Sequence, residues 1–193
     1  SGQETNYAIS KYHAEMEVWR CMGEGLTPLI VNPSTVLGYG DLNQGSCAIF
    51  RSVYREFPWY IKSNNGFVDV EDLAKAVVQL METGKRNERF IISAENRNYR
   101  QVFNLIADGF HKKHPSREAT PLLAGLAWRT EKFKSLLTGN KPLLTRETAA
   151  MGQRNRAYDN RKLLKALPGF QYRPLEETIQ KACARYLEDI SRS

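Results

Sequence analysis

Leu29-Ile30-Val31-Asn32-Pro33-Ser34-Thr35-Val36-Leu37-Gly38 is the stretch on which the reading of this chain turns. The apolar run from Thr27 to Asn32, bounded by Pro28 and Pro33, has the length and composition of a strand buried on both faces, as strands of parallel sheets are. Such a strand needs neighbours and a covering helix. The residues before it supply the helix: Glu4 to about Glu24 are good helix formers, and Gly25 stands where a left-handed C-terminal residue is wanted. Within that helix Tyr7 and Lys11 lie four residues apart, one turn from each other on the same face. An ammonium so placed stabilises a phenolate, which makes the tyrosine a proton donor usable near neutral pH. By the general rule for parallel sheets, the carboxyl end of the strand that follows faces a ligand crevice.

Outward from Gly38, strand and helix patterns alternate. Gly38-Tyr39-Gly40-Asp41 is turn chemistry, and Ser46 is placed to cap a helix through Phe57 with Ile49, Phe50, Val53 and Phe57 on one stripe. Trp59 to Ile61 and Phe67-Val68 read as short strands around an Asn64-Asn65-Gly66 turn. Asp69 then caps a helix to Met81, with Asp72 in its first turn and Leu73, Ala76, Val77 and Leu80 facing inward. Arg89 to Ser93 is a strand, followed by a helix from Tyr99 to His111 carrying Val102, Phe103, Ile106 and Phe110. From Pro121 onward the pattern is helical, with Leu122 to Leu137, Thr145 to Met151, Asn160 to Leu167 and Leu175 to Ile190 as candidates. The expected class is α/β, giving way to a helix-rich carboxyl-terminal lobe.

Composition excludes several functions. Of 193 residues, 41% are apolar and 25% charged, so a packed protein rather than a disordered one is expected. No stretch approaches the roughly twenty apolar residues of a membrane span, and no basic-then-apolar secretory pattern opens the chain, so no membrane partner is expected. Cys21, Cys47 and Cys183 form neither a disulfide framework nor a C-x-x-C metal pattern, which points to a reducing, cytoplasmic home. The net charge of +7 is spread from Arg51 to Arg192 without a run of five, the pattern of a solvated surface rather than a nucleic-acid face. His111 and His114 lack a third ligand nearby, so they are read as partners of a helix C-terminus and no metal is expected.

The Tyr-Lys spacing recurs at Tyr158 and Lys162. There Asp159 is a natural cap for a helix beginning at Asn160, which leaves Tyr158 outside, able to pack on Leu163 and structural in role. Tyr7 and Lys11 fall inside a helix that runs straight into the buried strand, and context separates the two pairs.

Three motifs in order resemble the extended short-chain dehydrogenase/reductases of the NAD-dependent epimerase/dehydratase superfamily: Tyr7 with Lys11, Asn32-Pro33-Ser34-Thr35-Val36-Leu37-Gly38, and Phe67-Val68-Asp69-Val70-Glu71-Asp72-Leu73-Ala74. Glu88-Arg89-Phe90-Ile91-Ile92-Ser93, Pro142-Leu143-Leu144-Thr145 and Tyr158-Asp159-Asn160-Arg161-Lys162 through Leu167-Pro168-Gly169-Phe170 are similar to the dihydroflavonol-4-reductase-like branch. The resemblance implies the C-terminal part of a Rossmann-type parallel sheet with a helix-rich substrate-binding lobe. Residues 1–95 would belong mostly to the dinucleotide-binding domain and 96–193 to the lobe.

The resemblance also implies roles. Tyr7 would transfer the proton at a carbonyl or alcohol carbon while the cofactor transfers hydride, and Lys11 would tune it and hydrogen-bond the nicotinamide ribose. Pro33, Ser34, Thr35 and Val36 would line the nicotinamide side of the pocket. The cofactor would be NAD or NADP, the substrate a small molecule, and the assembly a homodimer. The Gly-rich strand-to-helix turn that holds the pyrophosphate, and the strand Ser or Thr that polarises the substrate, would precede Ser1, so the chain reads as the second half of an enzyme, inactive by itself. Relatives acting on nucleotide sugars place an arginine before the Val-x-Val segment, whereas Asn65-Gly66-Phe67 stands here, which turns the expectation away from sugar nucleotides. The rival expectation is a non-catalytic domain that self-associates or binds a partner through the Tyr7 helix and an open strand edge.

Overall fold

The computed structural model describes residues 6–119 and 154–192. Residues 6–28 fall in one compact unit, and residues 29–118 with 155–192 form another. The candidate helices at Leu122 to Leu137 and Thr145 to Met151 lie outside the described residues.

In the first unit, α1 (Asn6–Arg20) continues into a 3-10 turn, Cys21–Glu24. Gly25 then takes φ 96°, where a Cβ would be strained, and donates its N–H to the Met22 carbonyl at 3.1 Å. Arg20 clamps this end between Glu17 at 2.8 Å and Glu24 at 2.7 Å.

The second unit begins with β1 (Leu29–Pro33) and β2 (Thr35–Leu37), followed by α2 (Cys47–Tyr54), β3 (Trp59–Tyr60) and β4 (Asn64–Asp69). Next come α3 (Val70–Glu82), β5 (Glu88–Ile92), β6 (Glu95–Asn98), α4 (Tyr99–Gly109), β7 (Arg117–Glu118), α5 (Arg161–Ala166) and α6 (Leu175–Arg192). Three pairings are parallel: β1 with β5, matching Val31 to Phe90, β2 with β4, matching Val36 to Val68, and β3 with β7. The fourth is antiparallel, β4 with β6, matching Asn64 to Asn98 and Gly66 to Asn96.

That antiparallel ladder corrects one expectation. Asn64-Asn65-Gly66 is not a turn but the first half of β4, because β6 supplies partners for a segment whose own residues are poor strand formers. The sheets are parallel but for this one edge, where β6 closes the β2-β4-β6 sheet antiparallel. β1 is half-buried rather than covered on both faces.

Successive residues of a strand face opposite sides, and β4 uses this to join two cores. Phe67 packs with Leu37, Phe50, Val102, Ile106, Phe110 and Ile179, the layer made by α2, α4 and α6. Val68 packs with Ala76, Leu80, Phe90, Ile92 and Leu163, the layer made by α3 and α5. The stripes of α3 and α4 are as the periodicity predicts: Leu73 and Val77 flank buried Ala76 and Leu80, and Phe103 flanks buried Val102 and Ile106. Phe57 is the exception, 46% exposed, because α2 ends at Tyr54 and Glu56 turns left-handed at φ 53°.

Caps decide where the helices start. Asp69 leaves β4 extended and accepts the N–H of Glu71 at 2.7 Å and of Asp72 at 3.4 Å, and Asn98 with Gln101 forms a capping box on α4. Ser46 does not cap α2; its hydroxyl donates to the Val36 carbonyl instead.

Candidate active-site segments

Tyr7 and Lys11 lie one turn apart on α1, and the Lys11 ammonium sits 5.9 Å from the centroid of the Tyr7 ring. Both side chains are exposed, Tyr7 by 58%. The helix thus holds a cation beside a phenol at a solvent-facing position.

Pro33, Ser34, Thr35 and Val36 belong to the second unit, at the step from β1 to β2. Pro33 is exposed at the carboxyl end of β1, and its fixed φ sets the direction in which the chain leaves the strand. The Ser34 N–H donates to the Ile92 carbonyl at 2.9 Å, so the step stays fastened to β5. Thr35 is held from its side chain: the Asn65 amide nitrogen donates to Thr35 Oγ1 at 2.8 Å and to the Tyr99 hydroxyl at 2.8 Å. Val36 turns toward the core of α3 and α5. The structure therefore brings Tyr7 to Lys11, and separately fastens Thr35 to Asn65 and Ser34 to Ile92 at the step that follows Pro33.

Gly66 shows how tightly this second group is packed. A Cβ built there would lie 2.5 Å from Tyr158 Cδ2, 2.6 Å from Ser93 Oγ and 2.9 Å from Ser34 Cβ, inside contact distance of all three. Ser34 Oγ, Ser93 Oγ and Asn65 Oδ1 are buried without a hydrogen-bond partner, whereas nearly all buried polar atoms in folded proteins have one.

Tyr158 stands outside α5, and its ring rests against Gly66. Its backbone is clasped on both sides by one amide, the Asn96 nitrogen donating to Tyr158 O and Tyr158 N–H donating to Asn96 Oδ1, each at 2.9 Å. Asp159 accepts the Arg161 N–H at 3.0 Å, and the Arg161 guanidinium holds its carboxyl down at about 2. Sequence reading passed over Asn65, Asn96 and Tyr99. The signal was the density of asparagines at strand positions, where propensity disfavours them unless a polar task retains them.

The acids after β4 anchor the fold. Arg173 reaches Asp69 at 2.7 Å, Glu71 at 3.0 Å and Glu177 at 3.3 Å, while its N–H donates to Asp72 at 2.6 Å. Lys181 and Arg173 together hold the Glu71 carboxyl at about 2. His114 Nε2 lies 2.6 Å from Asp108 Oδ1, and among the described residues no three metal-ligating side chains converge. No helix among them is long and apolar enough to cross a membrane.

Residues 2–93 match the NAD dependent epimerase/dehydratase family. The chain is 28% identical over 169 residues to the protein named "Putative dihydroflavonol 4-reductase" of Synechocystis sp., an alignment covering 83% of this chain and 49% of that one. It therefore spans about half the length of the curated relative it matches. Among solved structures it resembles gox2253, at 29% identity and a TM-score of 0.73, over 95% of this chain and 56% of the other. RMD from Pseudomonas aeruginosa, solved with NADPH, shares the fold at 16% identity and a TM-score of 0.67, over 97% and 57%.

Proposed function

We propose, from the match of residues 2–93 to the NAD dependent epimerase/dehydratase family, that this chain carries the proton-transfer pair and the nicotinamide side of the pocket of an NAD(P)-dependent reductase or epimerase. The observation that carries the reading is the Lys11 ammonium 5.9 Å from the Tyr7 ring on an exposed helix face. When bound, NAD or NADP supplies or takes up the hydride at a carbonyl or alcohol carbon of a small-molecule substrate. Tyr7 Oη gives its proton to the carbonyl oxygen in reduction and takes one from the alcohol in oxidation. Lys11 would stabilise the phenolate left behind and would donate to the ribose hydroxyls. Pro33, Ser34, Thr35 and Val36 would line the nicotinamide side of the pocket.

The activity belongs to the whole protein, of cytoplasmic residence. The 193-residue sequence contains no G-x-G-x-x-G turn, so the chain alone should hold a dinucleotide weakly and turn over nothing. Submicromolar NAD(P) binding by the chain in calorimetry would contradict this.

A double-mutant cycle in the full-length enzyme tests the pair. If Tyr7 and Lys11 act as a unit, Tyr7→Phe lowers turnover roughly a hundredfold or more, and adding Lys11→Met costs little further. Full additivity of the two losses would separate Lys11 from the chemistry.

A second reading, self-association without catalysis, is favoured by the exposure of Ile9, Tyr12 and Met16 on α1. A homodimer through this face is compatible with either. Light scattering decides association, and an assembling full-length protein that never turns over substrate would support the non-catalytic reading.

A further inference from the structure

An open cleft of ≈ 290 Å³ in the second unit is lined by Asn64, Asn96, Arg97, Asn98, Gln101, Asn155, Arg156 and Ala157. Its volume is near the lower end for ligand pockets, about 300 Å³. We infer that this cleft is a binding site for an oxygen-rich anion, a carboxylate or a phosphate ester. The inference does not depend on the roles of Tyr7 and Lys11.

The argument is an account of which hydrogen-bonding atoms the protein has already used. Asn155 Oδ1 accepts the Asn64 N–H at 2.8 Å, Asn64 Oδ1 accepts the Asn98 amide at 3.2 Å, and Gln101 Oε1 accepts the Asn98 N–H at 3.2 Å. Each of these three side chains thus spends its acceptor on the protein and keeps its NH2 group, for which no acceptor stands among the described residues. Asn96 and Asn98 are consumed differently, Asn96 by Tyr158 and Asn98 by the cap on Arg100. The free polarity of the cleft is therefore donor polarity.

Charge points the same way. No aspartate or glutamate is among the lining residues. The Arg97 guanidinium is offset by Glu95 at 2.7 Å and Glu176 at 2.9 Å, which leaves Arg156 as the cation of the cleft. Arg156 is positioned through its backbone, its N–H donating to the Asn64 carbonyl at 2.9 Å, so its side chain is not needed to hold the segment in place. Three amide donors and a guanidinium without a carboxylate suit a ligand that only accepts and carries negative charge.

The test uses the 15N-labelled 193-residue chain, following side-chain NH2 and guanidinium signals while titrating inorganic phosphate, citrate and, as a neutral comparison, glucose. Saturable shifts at Asn155, Gln101 and Arg156 with one or both anions and none with glucose are expected, and which anion binds more tightly distinguishes a phosphate from a carboxylate ligand. Arg156→Gln should weaken binding about tenfold or more. Gln101→Glu keeps the capping acceptor and Asn155→Asp keeps the acceptor for Asn64, so both should fold normally yet lose the anion through like-charge repulsion. Absence of saturable shifts, equal response to glucose, or unchanged affinity in Arg156→Gln or Gln101→Glu would overturn the assignment.

Discussion

Helix α1 and strand β4 treat their side chains in opposite ways. Five of the six residues of β4 are buried, and their neighbours on both faces fix what each can be. On α1 no described residue from Tyr7 to Arg20 is buried, and Tyr7, Tyr12 and Met16 are at least 40% exposed. Packing dictates the strand, whereas among the described residues nothing buries the side chains of the helix. Phe67 and Val68 are explained by the two cores they enter, whereas burial does not account for Tyr7 and Lys11 on α1.

If that contrast is right, substitutions should separate sharply in thermal or denaturant unfolding. Phe67→Ala, which empties a fully buried ring from the α2, α4 and α6 layer, is expected to cost about 3–5 kcal/mol. Tyr12→Ala on α1 should stay within about 0.5 kcal/mol. Equal losses at the two sites would dissolve the distinction.

Arg173→Met should follow closely, at about 3 kcal/mol, because it strips the cation from the Asp69 carboxyl, 4% exposed, where β4 turns into α3. Gly66→Ala ought to be costlier than an ordinary surface change, about 1–3 kcal/mol, since its methyl would meet Tyr158, Ser93 and Ser34 together. A neutral Gly66→Ala would mean that Tyr158 moves aside freely.

The pH dependence belongs to the same scaffold. Glu71 is held at about 2 against an ordinary 4.5, so the stabilisation it brings is present above 4.5 and is lost as pH falls toward 2. Melting temperatures measured across that window should drop, and drop less in Arg173→Met. The smallest effect is kinetic: burial pushes the Cys183 thiol up to about 12, so it should resist thiol reagents until the second unit unfolds.

Much of the scaffold was legible because hydrophobic period is a local signal. The stripes of α3 and α4, the Asp69 cap and the stop at Gly25 follow from residues within one or two turns of each other. What escaped depends on distant partners. Asn64-Asn65-Gly66 has turn composition, and it became strand because Glu95 to Asn98 pairs with it. Ser46 looked like a cap until the Val36 carbonyl, ten residues away, claimed its hydroxyl. Tyr7 with Lys11 and the Pro33 to Val36 segment were visible as motifs, but Asn65 bridging Thr35 and Tyr99 was not, since thirty-odd residues separate each pair of partners.

The central claim is that α1 carries chemistry and not stability. Turnover and melting temperature measured side by side for full-length Tyr7→Phe test it most directly. The account predicts an unchanged melting temperature with turnover lowered roughly a hundredfold or more. Retained turnover, or a loss that merely follows a lowered melting temperature, would contradict it.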